Sequence, residues 1–169
     1  MVVGLTGGIG SGKSTVLQYF NSIGNIAIYD ADTEAKSLMN NSSVIKEKII
    51  THFGKESYSN GQLNRKYLAG KVFGNKTELE KLNSIVHPEV YKHLQSFIQD
   101  NIDKDYVLYE NAILFENKSD VYCDYIITVY ADEKTRIERV VKRDLVSKEE
   151  VVSRIQHQMS DQKKLLLSN

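Results

Sequence analysis

The stretch Gly7-Gly8-Ile9-Gly10-Ser11-Gly12-Lys13-Ser14 has the residue types and spacing of a phosphate-binding loop, G-x-x-x-x-G-K-[ST]. Glycines let backbone N–H groups turn inward around a phosphate, at φ values that residues with a Cβ avoid. A helix starting at the end of the loop points its positive N-terminus at the same anion. Lys13 is placed to reach the outer phosphates, and the Ser14 hydroxyl to ligate Mg²⁺. A Gly-rich turn before a helix is the plain alternative. The nucleotide-phosphate reading is favoured by context, an apolar strand before the loop and an amphipathic helix after it. The loop alone does not separate a kinase from a GTPase or an ATP-driven switch.

Other charged groups bear on that choice. Tyr29-Asp30-Ala31-Asp32 ends a strand-like stretch. In an open α/β sheet the C-terminal ends of strands line the ligand crevice. Of the two carboxylates, one could accept the proton of an acceptor hydroxyl and the other hold Mg²⁺ through water; an N-cap role suits only one of them. Arg136, Arg139 and Arg143 recur at i, i+3 and i+7 on a helix that turns Ile137, Val140 and Val141 to the core. Such a face is either solvated, with Glu138 and Asp144 as partial counterions, or a lid that brings guanidinium forks to a transferring phosphoryl group. Asn117-Lys118-Ser119-Asp120 spells the N-K-x-D of guanine-binding GTPases. No Asp in the chain is followed by Gly at the D-x-x-G spacing that senses a γ-phosphate, so a nucleotide switch lacks its trigger. Residues Asn117 to Asp120 read instead as a polar surface turn.

The elements that must position these groups follow from periodicity. Val2 to Thr6 is a nearly continuous apolar run, the mark of a strand buried on both faces of a parallel sheet. The helix after the loop begins near Lys13, carries Val16, Leu17, Phe20 and Ile23 on one stripe, and stops at Gly24-Asn25. Ile26 to Tyr29 is a second strand, completing a βαβ unit. Residues 31–102 read as largely helical. A capping box at Thr77 and Glu80 starts one helix there, and Pro88 restarts another. Strands follow at Tyr106–Glu110 and Tyr125–Tyr130, then a helix from about Glu133 to Lys142. A last helix is capped by Ser147 and Glu150. The order predicts an α/β fold: a parallel core sheet flanked by helices, with helical excursions.

Composition fits one domain with a small insertion. The chain has 169 residues, 41% hydrophobic and 26% charged, enough to bury roughly 70% of its extended surface without a disulfide or metal staple. Lys plus Arg and Asp plus Glu number 22 each. A net charge of zero argues against a nucleic-acid coat or a polybasic membrane binder. One cysteine, Cys123, makes neither an internal bridge nor a multi-cysteine zinc site, and is most simply a small core residue. Met1 to Thr6 has no basic region and no long apolar run, so it is not a signal peptide. No stretch approaches the ~20 apolar residues of a membrane span. The expected compartment is the cytoplasm.

Taken together, the motifs resemble the dephospho-coenzyme A kinase family nearly end to end. The opening Gly4-Leu5-Thr6-Gly7-Gly8-Ile9-Gly10-Ser11-Gly12-Lys13-Ser14-Thr15 matches almost letter for letter. Asp30-Ala31-Asp32 matches the family's Asp-Ala-Asp step, and Leu63-Asn64-Arg65, Leu68 and Val72-Phe73 match its helical acceptor domain. His87-Pro88, Leu114-Phe115-Glu116, Arg139, Lys142-Arg143-Asp144, Arg154-Ile155 and Gln158 complete the likeness.

The resemblance implies ATP-dependent phosphorylation of the ribose 3′-hydroxyl of dephospho-CoA, with Mg²⁺. On it, Gly10, Ser11, Gly12, Lys13, Ser14 and Thr15, with Arg139, hold the ATP phosphates. Asp32 is the base, Arg143 a lid contact, and Thr6, Asp30, Arg65 and His87 face or support the acceptor. Before Pro88, His87 has the alternative of anchoring a helix start. The implied organisation is a core sheet from 1–30 and 104–132, a helical acceptor region over 31–103, lid helices over 133–162, and a return to the core at 163–169. There are two departures. The family's proline before Leu-Leu-Phe-Glu is absent from Glu110-Asn111-Ala112-Ile113-Leu114-Phe115-Glu116. The family also continues beyond this end with another strand and helix, which predicts a vacant strand position beside the phosphate-loop strand. Runners-up are a kinase for another nucleoside or nucleotide and a non-catalytic nucleotide-binding regulator.

Overall fold

The computed structural model describes residues 1–169. In chain order the elements are β1 (Val2–Thr6), α1 (Lys13–Ile23), β2 (Ala27–Asp30), α2 (Ala31–Asn41), α3 (Ser43–Phe53), β3 (Tyr58–Ser59), β4 (Gln62–Leu63), α4 (Arg65–Val72), α5 (Lys76–Asp100), β5 (Val107–Glu110), β6 (Tyr125–Thr128), α6 (Glu133–Asp144), α7 (Lys148–Gln156) and α8 (Asp161–Leu166). They divide into two compact units, residues 1–30 with 100–169, and residues 31–99. No helix is long and apolar enough to cross a membrane.

The first unit is built on a four-stranded sheet of order β2-β5-β1-β6, parallel throughout. β1 is interior and buried at all five positions, which is why its sequence is apolar without alternation. The predicted vacancy beside β1 does not exist. β5 inserts between β1 and β2, and β6 takes the other side. At the outer edge of β6 the Asn169 N–H donates to the Ile126 carbonyl at 3.1 Å, and its Oδ1 accepts from the Ile126 N–H at 2.9 Å. On one face of the sheet, Val16, Leu17 and Phe20 of α1 pack on Val3, Leu5 and Leu108. Ile23 leaves that stripe and is exposed. A second cluster joins Ile137 and Val140 of α6 to Val151 of α7. α7 begins with the capping box the sequence predicts, Ser147 and Glu150 bonding reciprocally.

Cys123 packs against β1. A Cβ on Gly4 would lie 2.8 Å from its Sγ, so a larger residue at position 4 displaces the sulfur. Burial, reinforced by Asp120 and Asp124, pushes the thiol up to about 12. The cysteine is a packing residue, as its isolation in the sequence suggests.

The second unit has its own core of Ile45, Ile49, Phe53, Leu68, Ile85 and Val86. Ser42 and Asn64 cap α3 and α4, accepting from the N–H groups of Ile45 and Tyr67. Between these helices lies a hairpin that the sequence reading passes over: Tyr58 pairs with Leu63 and Ser59 with Gln62. Its turn is Asn60-Gly61, both at positive φ, the dipeptide that two-residue hairpins prefer. The Tyr58 hydroxyl donates to Met39 O at 2.7 Å, and the Leu63 N–H to Asn40 Oδ1 at 2.9 Å.

Two predicted helix signals are overridden here. α5 starts one residue before the Thr77 box because Asn75 caps it, accepting from the Glu78 N–H at 3.2 Å. It then runs unbroken through Pro88 to Asp100. Pro88 deprives the Ser84 carbonyl of its helical donor, a cost of ~3 kcal/mol. Ile85, Val86 and Leu94 are buried on the same helix; at about 1.5–3 kcal/mol each, their burial outweighs the proline. His87 therefore sits inside a helix, not at the start of one.

Candidate active site

The first unit positions the phosphate loop by its two ends. β1 delivers the chain to Thr6 at the C-terminal edge of the sheet, and α1 takes it up at Lys13. Gly12 lies at φ 107 before the helix and supplies no side-chain cap; its carbonyl accepts from the Thr15 and Val16 N–H groups at 3.0 and 3.2 Å, while the first-turn N–H groups ahead of them face the helix N-terminus. Gly10 lies at φ 79, and a Cβ there would stand 2.7 Å from the Arg136 carbonyl oxygen and 2.9 Å from Val140 Cγ2. Conformation and space both require glycine. Lys13 Nζ donates to Gly7 O at 2.9 Å and lies 3.9 Å from Glu110 Oε1. Its pKa is lowered, chiefly by burial; Glu110 opposes the shift, and Lys164, Arg136 and Arg143 add to it. A site that strains one ammonium in this way favours an anion.

A pocket of about 250 Å³ opens over the loop, lined by Gly10, Gly12, Lys13, Ser14 and Thr15 on one side and by Arg139, Val140 and Arg143 on the other. Arg139 donates from Nη1 to the carbonyls of Gly10 and Ser11, both at 3.3 Å. Arg143 is held by a two-pronged contact to Asp144, at 2.7 and 3.1 Å. That guanidinium keeps the Asp144 carboxyl below the usual range. Arg154 donates to the same carboxylate at 3.1 Å.

Arg136 does not belong to this face. It is 3% exposed, donates from Nε to Ile9 O at 2.9 Å and pairs with Asp161. The arginine face of the sequence reading is thus split. Arg139 and Arg143 look into the pocket, whereas Arg136 lies against Gly8, where a Cβ would meet its guanidinium within 2.3–2.7 Å.

Asp30 ends β2 in register with Glu110 on β5. Glu110 is a carboxylate the sequence reading missed, and the strand-end rule that singles out Asp30 finds it too. Asp32 lies in the first turn of α2 and pairs with Lys36 one turn on, its side chain 75% exposed. Thr6 is fully buried, and its Oγ1 has no hydrogen-bond partner. In the second unit Arg65 is exposed at the first position of α4. His87 is half-buried in α5, and burial lowers its pKa. Lys163 and Lys164 lie in the last turn of α8, where basic residues suit the helix dipole. Lys164 is fully buried, donating to Ala112 O at 2.7 Å and paired with Glu116 Oε1 at 2.9 Å. No sequence period signals that burial, because its partners lie about fifty residues away. No three or more His, Cys, Asp or Glu residues gather into a metal-holding group.

Comparison with known proteins bears on what this pocket serves. The family model described as dephospho-CoA kinase matches residues 1–169. A dephospho-CoA kinase of Fusobacterium nucleatum is 39% identical over 166 residues, covering 98% of this chain and 84% of its own. One from Salinibacter ruber is 40% identical over 163 residues, covering 95% and 81%. Among solved structures, a protein of Thermus thermophilus superposes with a TM-score of 0.87 at 32% identity, over 99% of this chain and 85% of that one. A dephospho-CoA kinase from Campylobacter jejuni gives 0.70 at 26% identity, over 99% and 85%. The chain belongs to the dephospho-CoA kinase family.

Proposed function

We propose that this chain transfers the γ-phosphoryl group of ATP to the ribose 3′-hydroxyl of dephospho-CoA, releasing CoA and ADP, the last step of coenzyme A biosynthesis. The observation that carries the reading is the family match over the whole chain. The pocket over the phosphate loop, with Lys13, Arg139 and Arg143 on its walls, supplies chemistry that fits it. In this reading Gly10 to Thr15 and Arg139 hold the ATP phosphates. Arg143 and Lys13 meet the charge that spreads over the equatorial oxygens of a loose transition state.

Mg²⁺ fits the residues present. Ser14 offers a hydroxyl at the pocket, and Glu110 adds a hard oxygen beside Lys13. The lack of an all-protein carboxylate cage suits an ion held mainly by phosphates and water. When bound, Mg²⁺ would neutralise charge on the outer phosphates. The acceptor oxygen attacks the γ-phosphorus as its proton passes to Asp32, and the bond to the β-phosphate oxygen breaks. Asp30, the other carboxylate of the pair, faces the acceptor. Thr6, Arg65 and His87 support the acceptor side. Residues 31–103 act as the acceptor region and 1–30 with 104–132 as the core, while 133–162 act as the lid and 163–169 return to the core. A lone free thiol suits the reducing cytoplasm.

The test is coupled ADP release with dephospho-CoA, adenosine and AMP in parallel. Turnover dependent on dephospho-CoA is expected. Preference for adenosine or AMP overturns the acceptor assignment, and nucleotide binding without turnover on any of them overturns the kinase.

A further inference from the structure

Ile9, at the crest of the phosphate loop, has both of its backbone polar groups held by side chains from distant parts of the chain. Its N–H donates to Gln158 Oε1 at 2.9 Å. Its carbonyl accepts from Arg136 Nε at 2.9 Å. Arg136 is in turn held by Asp161, three residues beyond Gln158. The segment from Gln158 to Lys164 is anchored at its back as well. The Met159 N–H donates to Glu116 Oε1 at 2.8 Å, and the buried Lys164 ammonium bonds to the same oxygen and to Ala112 O. One short segment therefore connects the loop that follows β1 to the turn that follows β5.

The energetics favour a role in geometry over one in stability. A buried ion pair gives up most of its Coulomb gain to desolvation, and well-packed apolar residues often replace one at no loss. These pairs are also incompletely satisfied, since Asp161 Oδ1 and Glu116 Oε2 are buried without a hydrogen-bond partner. What a charged pair provides that an apolar contact lacks is direction. The planar guanidinium is oriented by Asp161, and so aims Nε at one carbonyl. Fixing Ile9 from both sides fixes the peptide planes on either side of it, and with them the path into Gly10 to Lys13.

We propose that Gln158 and the Arg136–Asp161 pair are positioning residues for the nucleotide. They hold the phosphate loop in its anion-receiving shape through Ile9 without touching the phosphates themselves. The proposal rests on the reading that the loop takes ATP. By linkage the coupling runs both ways, so a nucleotide that tightens the loop also tightens the segment 158–166.

The test measures ATP affinity by direct titration alongside steady-state turnover. Gln158→Leu removes one acceptor from a half-exposed site and should leave the fold intact. It should weaken ATP binding roughly three- to tenfold, as expected for one lost hydrogen bond, while KM for dephospho-CoA stays at the wild-type value. Gln158→Glu restores an acceptor oxygen and should recover most of the loss. Removing Arg136 alone strands Asp161, so the second variant replaces both, Arg136→Met with Asp161→Leu. It should keep its melting temperature yet lose ATP affinity by a similar factor. In the wild-type protein ATP should slow hydrogen exchange over residues 158–166. A merely structural role lowers melting temperature and leaves ATP affinity unchanged. Wild-type affinity in both variants, or exchange insensitive to ATP, overturns the proposal. Because the readout is ATP binding, failure on dephospho-CoA would count against the proposed function and not against this coupling.

Discussion

The two units hold their candidate site residues in opposite ways. Around the phosphate loop every cation already has a fixed partner: Lys13 on Gly7 O, Arg139 on the Gly10 and Ser11 carbonyls, Arg136 on Ile9 O and Asp161. In the helical unit Arg65 and Asp32 stand on the surface, while His87 is half-buried. Arg65 opens α4 facing water, and the exposed Asp32 pairs with Lys36 on its own helix. Burial makes Lys13 and Arg136 rigid and electrostatically strong, because a desolvated charge interacts at a low effective dielectric; Arg139 is exposed and is held by its two loop carbonyls instead. Exposure leaves the second set adjustable at small cost, since surface pairs are weak.

The largest effect that would break this comparison is at Lys13. Lys13→Ala should cut turnover on the order of 10³-fold, the scale of losing a preorganised charge stabiliser. Circular dichroism and melting temperature should stay close to wild type, because removal relieves a desolvated ammonium. Near-normal turnover would mean the rigid set has no catalytic role.

At Asp32 the expected effect is smaller and of a different kind. A loose transition state needs its base late, so Asp32→Asn should lower kcat by about 10²-fold, the lower end for a positioned base. ATP affinity, measured by titration, should hold. If ATP binding collapses instead, Asp32 serves the metal side and Asp30 takes over as base.

The smallest effect sharpens the contrast within the helical unit. Burial depresses the pKa of His87 below its ordinary value of 6.5, so between that value and the folded pKa the unfolded chain binds more protons. Stability at this site is full above 6.5 and declines as the pH falls through that window. His87→Leu should flatten the acid limb of a denaturation-midpoint profile, with under ~1 kcal/mol of change at pH 8. An unaltered acid limb would place the acid sensitivity elsewhere.

Local chemistry was legible in the sequence where neighbours in the chain are neighbours in space. The loop, β1, the start of α1 and the Ser147–Glu150 box all depend on contacts a few residues apart, and all appear where they are predicted. Long-range placement was not. Nothing near β2 says that β5 will separate it from β1. Arg136 and Arg143 look alike at helical spacing, yet one is buried by Asp161 and the other paired on the surface with Asp144. Pro88 reads as a boundary because local rules omit the buried side chains that carry α5 through it. Among the site residues, Glu110 was within reach of the strand-end rule. Gln158 has meaning only once its Ile9 partner is known.

The contact between Gly4 and Cys123 makes the cysteine a natural reporter on the central strand. Burial holds its thiol well above the ordinary cysteine range, so the reactive thiolate is scarce while the sulfur packs against β1. Alkylation is therefore expected to speed up when the sulfur comes away from β1. Its rate is a clock for opening of the strand that feeds the phosphate loop, read without a label or an added residue.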